Sequence, residues 1–382
     1  VFSFLREVYL DNCATTATDP EVAALAARVM QFEFGNPSSL HRKGLEAQLL
    51  LDKAREQIAN AIGASPEEVY FTSGGTQANN LALIGAFTAH KRKANRLVSG
   101  KVEHSSVRGA LAHIQTIGGE AELVDPLPDG SADPEKFAGA LDARTLLLSC
   151  GLVNSETGGI SPVGDITKAA KAKFSRILIH CDAVQAFGKL PVAVNKLGVD
   201  MLSLSGHKLH APKGIGALYI RKGVRIHPLI HGGGQERGLN PGTESVPLAC
   251  AFGLAAEKII PKVSLNFDHY QSIRKHFVKK AENIAGLCIN SPPDGAPNIC
   301  NVSLPGYKSE TLLHFLAERG VYVSSGSACA KGKDSHVLAA IGLPRERIQS
   351  ALRISFCKDT TPGEIDIFFE ALALGLDTIR SS

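Results

Sequence analysis

From residue 69 onward, short runs of aliphatic and β-branched residues alternate with longer Ala- and Lys-rich stretches. The apolar runs cover residues 69–71, 96–99, 121–124, 146–150, 177–181, 200–204 and 216–220. Between many of them lie segments with helical patterning, such as 78–94 and 163–174. A strand buried on both faces shows a continuous apolar run rather than alternation. Runs of this kind joined by helices predict an α/β fold, with a mostly parallel seven-stranded sheet covered by helices. Only loop residues separate the last two runs, so one strand there is expected to be antiparallel. No repeat of the solenoid kind is present.

Two segments depart from this rhythm. Residues 230–243, IHGGGQERGLNPGT, are Gly-rich, polar and long for a structureless connection, which marks a functional or disordered loop. Beyond residue 254 a charged helical stretch, 255–285, leads to a Pro-rich turn. Strand-like runs at 298–304 and 322–324 follow, and a last helical stretch closes the chain. The pattern predicts a large domain over 17–254. A smaller α+β domain is expected over 1–16 and 255–382.

Composition narrows the function classes. A chain of 382 residues suits one large or two medium domains, and 44% hydrophobic with 20% charged residues describes an ordinary core. Lys and Arg exceed Asp and Glu by 41 to 37, too small an excess to expect nucleic acid as the main partner. No apolar run approaches the roughly 18 residues of a membrane span. The opening VFSFLREVYLD lacks the basic start of a secretory signal, so a cytoplasmic location is expected. Eight cysteines at wide spacing, with no C-x-x-C pair, read as reduced thiols rather than disulfides or a metal cradle.

Ligands of open α/β sheets bind outside the carboxyl ends of the strands. In this chain Thr72-Ser73-Gly74-Gly75-Thr76, Glu103-His104, Asn154-Ser155-Glu156-Thr157, Asp182 with Gln185, and Ser205-Gly206-His207-Lys208 all follow strand-like runs. Each has a plain structural alternative: a tight turn, a loop histidine, a helix cap, a surface lysine. Together they describe one chemistry. An anion cradle of Gly75, Thr76, Ser205 and His207, a carboxylate at Asp182, an imidazole at His104 and a lysine at Lys208 match pyridoxal phosphate.

With these motifs the sequence resembles the cysteine desulfurases of the NifS/IscS-like branch, class V aminotransferases of the fold type I pyridoxal-phosphate enzymes. The resemblance spans nearly the whole chain. It runs from Tyr9-Leu10-Asp11-Asn12-Cys13-Ala14-Thr15-Thr16 through TSGGTQANN, VEHSSV, HCDAVQAFGK, SGHKLHAPKGIGALYIRKG, HGGGQERGL and SSGSACAKG to ALRISF. It implies that Lys208 carries the cofactor covalently, Asp182 meets the pyridine nitrogen and Gln185 the phenolic oxygen. His104 is implied to stack on the ring and take part in proton transfer. Gly75, Thr76, Ser205 and His207 are implied to hold the phosphate, together with Thr243 of a partner subunit in a homodimer. Arg353 is implied to grip the substrate carboxylate, with Asn154 and Ser155 nearby, and Cys329 to take the sulfur of L-cysteine as a persulfide. An acceptor protein, such as an iron–sulfur scaffold, then receives it.

Independently of the resemblance, Cys329 lies among small, polar, glycine-containing neighbours with Lys331 and Lys333 close by, a setting that suits either a nucleophilic thiolate or an exposed loop cysteine with no role. The chain also departs from the family pattern. Ser155 stands where a second asparagine is usual, Asn240-Pro241 where a basic residue is common, and Cys13 where a small polar residue is more usual. The end at Ser382 comes without the long tail that some members use to meet a scaffold. Selenocysteine lyase, which shares the cofactor site, is the nearest alternative. A non-catalytic pyridoxal-phosphate protein that assembles or regulates others is the alternative of another class.

Overall fold

The computed structural model describes residues 7–325 and 334–379. After β1 (Val8–Tyr9), seven strands build one sheet: β2 (Val69–Thr72), β3 (Arg96–Gly100), β4 (Glu120–Val124), β5 (Thr145–Gly151), β6 (Leu178–Asp182), β7 (Met201–Ser205) and β8 (Gly216–Ile220). Their order is β2-β8-β7-β6-β5-β3-β4. All seven expected strands are present, each bound within one residue of its apolar run. The single antiparallel member is β8, which runs against both β2 and β7. The chain returns from β7 to β8 without a crossover helix, so the direction must reverse.

Successive strand residues point to opposite faces, and the two faces have different covers. Leu97, Leu147, Met201 and Leu218 pack under helix α3 (Gly75–His90), which follows α1 (Pro20–Phe32) and α2 (Arg42–Ile62). Helix α3 is apolar nearly all round because it lies between the sheet and α4 (Ser105–Thr116). Val98, Leu148, Ile179 and Leu202 face the other way, toward Ile166, Phe187 and Phe252.

The remaining strands are β9 (Cys288–Ile289), β10 (Ile299–Ser303), β11 (Val321–Tyr322), β12 (Ser324–Ser325) and β13 (Ala351–Ser355). An antiparallel sheet runs β12-β13-β10-β9, and β1 pairs with β11 in parallel. Val8 and Leu10 share a core with Phe277, Val302, Leu352 and Phe368. The single helical stretch expected over 255–285 is in fact two helices, Val246–Ile259 and Val263–Ala281, joined by a tight turn at Ile260–Lys262. Pro261 lies in that turn, where its missing N–H breaks the helical ladder.

The 230–243 loop is built around a buried ion pair. Glu236 and Arg237 take left-handed φ values of 45° and 54°. The Glu236 carboxylate accepts from both terminal nitrogens of Arg55 at 2.7 Å and from the Phe71 N–H at 2.8 Å. The Arg237 guanidinium stacks 4.8 Å over the Tyr70 ring. Removing one partner of such a pair costs about 3–5 kcal/mol, because the other charge is left buried and uncompensated. Among the described residues, no helix is long and apolar enough to cross a membrane.

Candidate active site

The carboxyl ends of the sheet strands open on a cavity of about 490 Å³. Gly75, Thr76, His104, Asn154, Ser155, Asp182, Gln185, Ser205, His207 and Lys208 all line it. Thr243 is exposed and does not line it, Arg353 lies beside it, and Cys329 falls outside the described residues.

The anion end is formed where β2 turns into α3. The first turn of α3 has no side-chain cap, so its backbone N–H groups are available to a ligand. Gly75 is required sterically, since a Cβ there would come within 2.6 Å of the Val184 Cγ2. Close by, the Ser205 hydroxyl is buried without a hydrogen-bond partner. Leaving such a group unpaired costs about 1–3 kcal/mol, which a bound anion recovers. His207 beside it is held neutral: burial pushes its pKa down to about 4, helped by the charges of Lys208, Lys213 and Lys189.

Asp182 sits at the end of β6. Its Oδ1 accepts from the Val184 N–H at 3.0 Å and its Oδ2 from the Asn79 amide at 2.7 Å. Gln185, one turn on, donates to the Cys13 carbonyl at 3.0 Å and keeps its own amide oxygen buried and unpaired. The Lys208 ammonium donates to the carbonyls of Cys13 and Ala14, the latter at 2.7 Å. Beneath it, the buried Lys189 donates to the Lys208 carbonyl at 2.7 Å. Burial, with the Lys208 charge adding to it, brings the Lys189 pKa down to about 8. Lys189 carried no signal in the sequence beyond its place in the HCDAVQAFGK motif.

The substrate end involves β13. Arg353 pairs with Asp11 at 2.9 Å and donates to the Ser155 carbonyl at 3.1 Å, while its Nε is buried and unpaired. Ser155 thus contributes its backbone to this arrangement, a contact that any residue there can make. The Asn154 side chain is committed to the turn: its Oδ1 accepts from the N–H groups of Glu156 and Thr157, and its Nδ2 donates to the Val102 carbonyl. The neighbouring Glu156 accepts from the Ser335 hydroxyl at 2.5 Å. Ser335 in turn caps the helix His336–Ala340.

Glu103 is a site group that the sequence analysis named beside His104 without a role. Its carboxyl is buried between Gly100 and Gly151 and accepts from the Gly151 N–H at 2.9 Å. Burial, with the Asp182 charge adding to it, pushes its pKa from an ordinary 4.5 up to about 8. Between those values the folded chain binds more protons than the unfolded one, so this group makes stability fall as pH rises. His180 acts in the opposite sense at lower pH. It is locked between the Ser149 and Ser203 hydroxyls, and burial pushes its pKa down to about 4. The two contributions separate in a comparison of variants. From about pH 5 to pH 8, denaturation is expected to show Glu103→Gln gaining stability relative to the parent. A gap that stays constant contradicts the assignment.

Comparison with known proteins decides the family. The family model described as "Aminotransferase class-V" matches residues 8–368. The chain belongs to the class-V aminotransferases. Within this family it is 39% identical over 380 residues to a protein of Dictyoglomus turgidum named cysteine desulfurase IscS, covering 98% of this chain and 96% of that one. A solved structure of a NifS-like protein superposes with a TM-score of 0.93 at 37% identity, covering 98% of this chain and 100% of that one. Another, described as SspA in complex with cysteine, gives 0.81 at 32% identity, over 91% of this chain and 98% of that one.

The cofactor of this class-V aminotransferase is pyridoxal phosphate, and the residues present fit it. The unpaired Ser205 hydroxyl and the open α3 N-terminus suit a phosphate. The doubly hydrogen-bonded Asp182 carboxylate suits a protonated ring nitrogen, and Lys208 supplies the amine.

Proposed function

We propose that this chain is a cysteine desulfurase that moves the sulfur of L-cysteine onto Cys329 and releases L-alanine. One observation supports this reading above the others: a lysine, a carboxylate held by two hydrogen bonds and an unpaired hydroxyl at a helix N-terminus line one cavity, in a chain whose relatives are named cysteine desulfurases. When bound, pyridoxal phosphate accepts the electron pair of the substrate bond that breaks.

The chain's own residues do the rest. Arg353, held by Asp11 and the Ser155 carbonyl, offers its guanidinium to the substrate carboxylate. Asp182, fixed by Asn79 and the Val184 N–H, would meet the ring nitrogen. Lys208 takes the proton from the substrate α-carbon and returns a proton as alanine forms. The Cys329 thiolate attacks the substrate sulfur, so that an S–S bond forms as the C–S bond breaks. L-cysteine and the Cys329 thiol thereby become L-alanine and a Cys329 persulfide, ready for an acceptor protein such as an iron–sulfur scaffold.

The reading includes a homodimer. Met30, Phe32, Phe34, Leu40, Leu45 and Leu49 are exposed on α1, α2 and the segment between them. Large apolar groups crowded on consecutive elements mark an interaction face. A second copy is the occupant that also supplies Thr243, which in this protomer is exposed away from the cavity. Phe34→Glu is expected to yield a monomer in sedimentation velocity, with weaker cofactor retention. A variant that stays dimeric places the interface elsewhere.

The cytosol is the compartment this reading favours, as the seven described cysteines are all free thiols. The function itself is tested with L-cysteine and a reductant. Equimolar alanine and sulfide are expected, and pyruvate as the main product points to a different class-V reaction.

A further inference from the structure

The hydrogen bonds around His104 run in one direction. Asn79, almost wholly buried on α3, uses both hydrogens of its amide nitrogen. One goes to Asp182 Oδ2 at 2.7 Å and the other to the Ser106 hydroxyl at 2.9 Å. Reversing the amide would set its oxygen against the Asp182 carboxylate, so the orientation is determined. Having accepted from Asn79, the Ser106 hydroxyl has its own proton to give. His104 Nδ1 lies 2.7 Å from it. The Ser106 backbone N–H reaches the same nitrogen at 3.1 Å, as part of the cap of α4. A ring nitrogen that accepts from two donors carries no proton, so the imidazole proton belongs on Nε2.

We infer that Asn79 and Ser106 are positioning residues that hold His104 as the neutral Nε2–H tautomer, through a hydrogen-bond chain anchored at Asp182. Protonating Nδ1 would turn an N–H toward two donors and break the cap of α4. His104 therefore serves the resting site as a neutral ring and a fixed N–H donor, and Lys208 is left to carry protons. This narrows the role expected from the sequence, in which His104 also takes part in proton transfer.

The surroundings agree. Three titratable groups act on the ring: Asp182 at the end of β6, Lys208 after β7 and His336 on the helix His336–Ala340. Burial is the largest influence and lowers the His104 pKa, the Lys208 charge lowers it further, and Asp182 opposes them. Burial lowers the pKa of His336 as well.

The inference rests on the site described above and needs no turnover to test, so its failure and that of the desulfurase reading are distinguishable. The probe is nitrogen-15 NMR of histidine-labelled, cofactor-loaded protein. His104 is expected to show a protonated Nε2 and a bare Nδ1, unchanged between about pH 7 and 8. Ser106→Ala removes one donor to Nδ1, and Asn79→Ala frees the Ser106 hydroxyl to turn a lone pair toward the ring. Each is expected to tighten proton binding at His104 about tenfold, and Ser106→Thr to restore the parent titration. Were Asn79 and Ser106 merely structural, these variants would lower the melting temperature and leave the His104 titration in place. That result overturns the inference, as does an Nδ1–H tautomer or an imidazolium at neutral pH in the parent protein.

Discussion

Lys208→Ala is expected to lower turnover of L-cysteine by at least about 10³-fold and to abolish the visible absorbance of covalently held cofactor. On the proposed reading two functions are lost together: the amine that carries the cofactor and the group that moves the α-proton. The backbone at this position is held separately from the side chain. The ammonium donates to two backbone carbonyls of the N-terminal loop, of Cys13 and Ala14, and Lys189 separately holds the Lys208 carbonyl from below. Lys208→Arg is expected to be no better. A guanidinium restores the positive charge against those carbonyls but stays protonated, so it neither forms the link nor takes a proton. Absorbance spectra and alanine release measured on both variants check this. Retained turnover in either one removes Lys208 from the chemistry.

The second large effect is expected from Asp182→Asn, at about 10²–10³-fold in kcat with the cofactor still bound. Asparagine preserves the shape and can still accept from the Val184 N–H, so the end of β6 keeps its conformation. On the proposed reading, what disappears is the acceptor set against a protonated ring nitrogen, and with it the electron sink. The Asn79 amide is expected to lose its charged partner as well. Cofactor affinity by fluorescence titration separates the two effects: a modest loss of binding beside a large loss of kcat is the expected split. An unchanged kcat would mean that another group neutralises the ring.

The sheet was legible because parallel strands buried on both faces leave uninterrupted apolar runs, and each run became a strand with little error at its ends. The reversal at β8 was legible from the missing crossover helix. Pro261 was in plain view, yet the charged helical pattern on either side of it outweighed a single breaker, and one helix was expected where two formed. At the site, Lys208, Asp182, His104 and Ser205 were readable because each ends or follows a strand. Their supports were not, since those contacts join distant stretches of chain. Asn79 and Asp182 lie 103 positions apart, and Asp11 and Arg353 lie 342 apart. Glu103 was passed over for a similar reason: next to a histidine it reads as loop polarity, and only the closeness of Gly100 and Gly151 shows it to be enclosed. Ser155 is the reverse case. The side chain drew attention as a departure from the family, while the contact that matters comes from its carbonyl.

The most direct test of the desulfurase account is mass spectrometry of the cofactor-loaded protein after brief incubation with L-cysteine and no reductant. The account predicts one added sulfur atom on the peptide containing Cys329, released by reductant, with one alanine formed per sulfur. Alanine formed with no sulfur on Cys329, or sulfur carried on another cysteine, contradicts it.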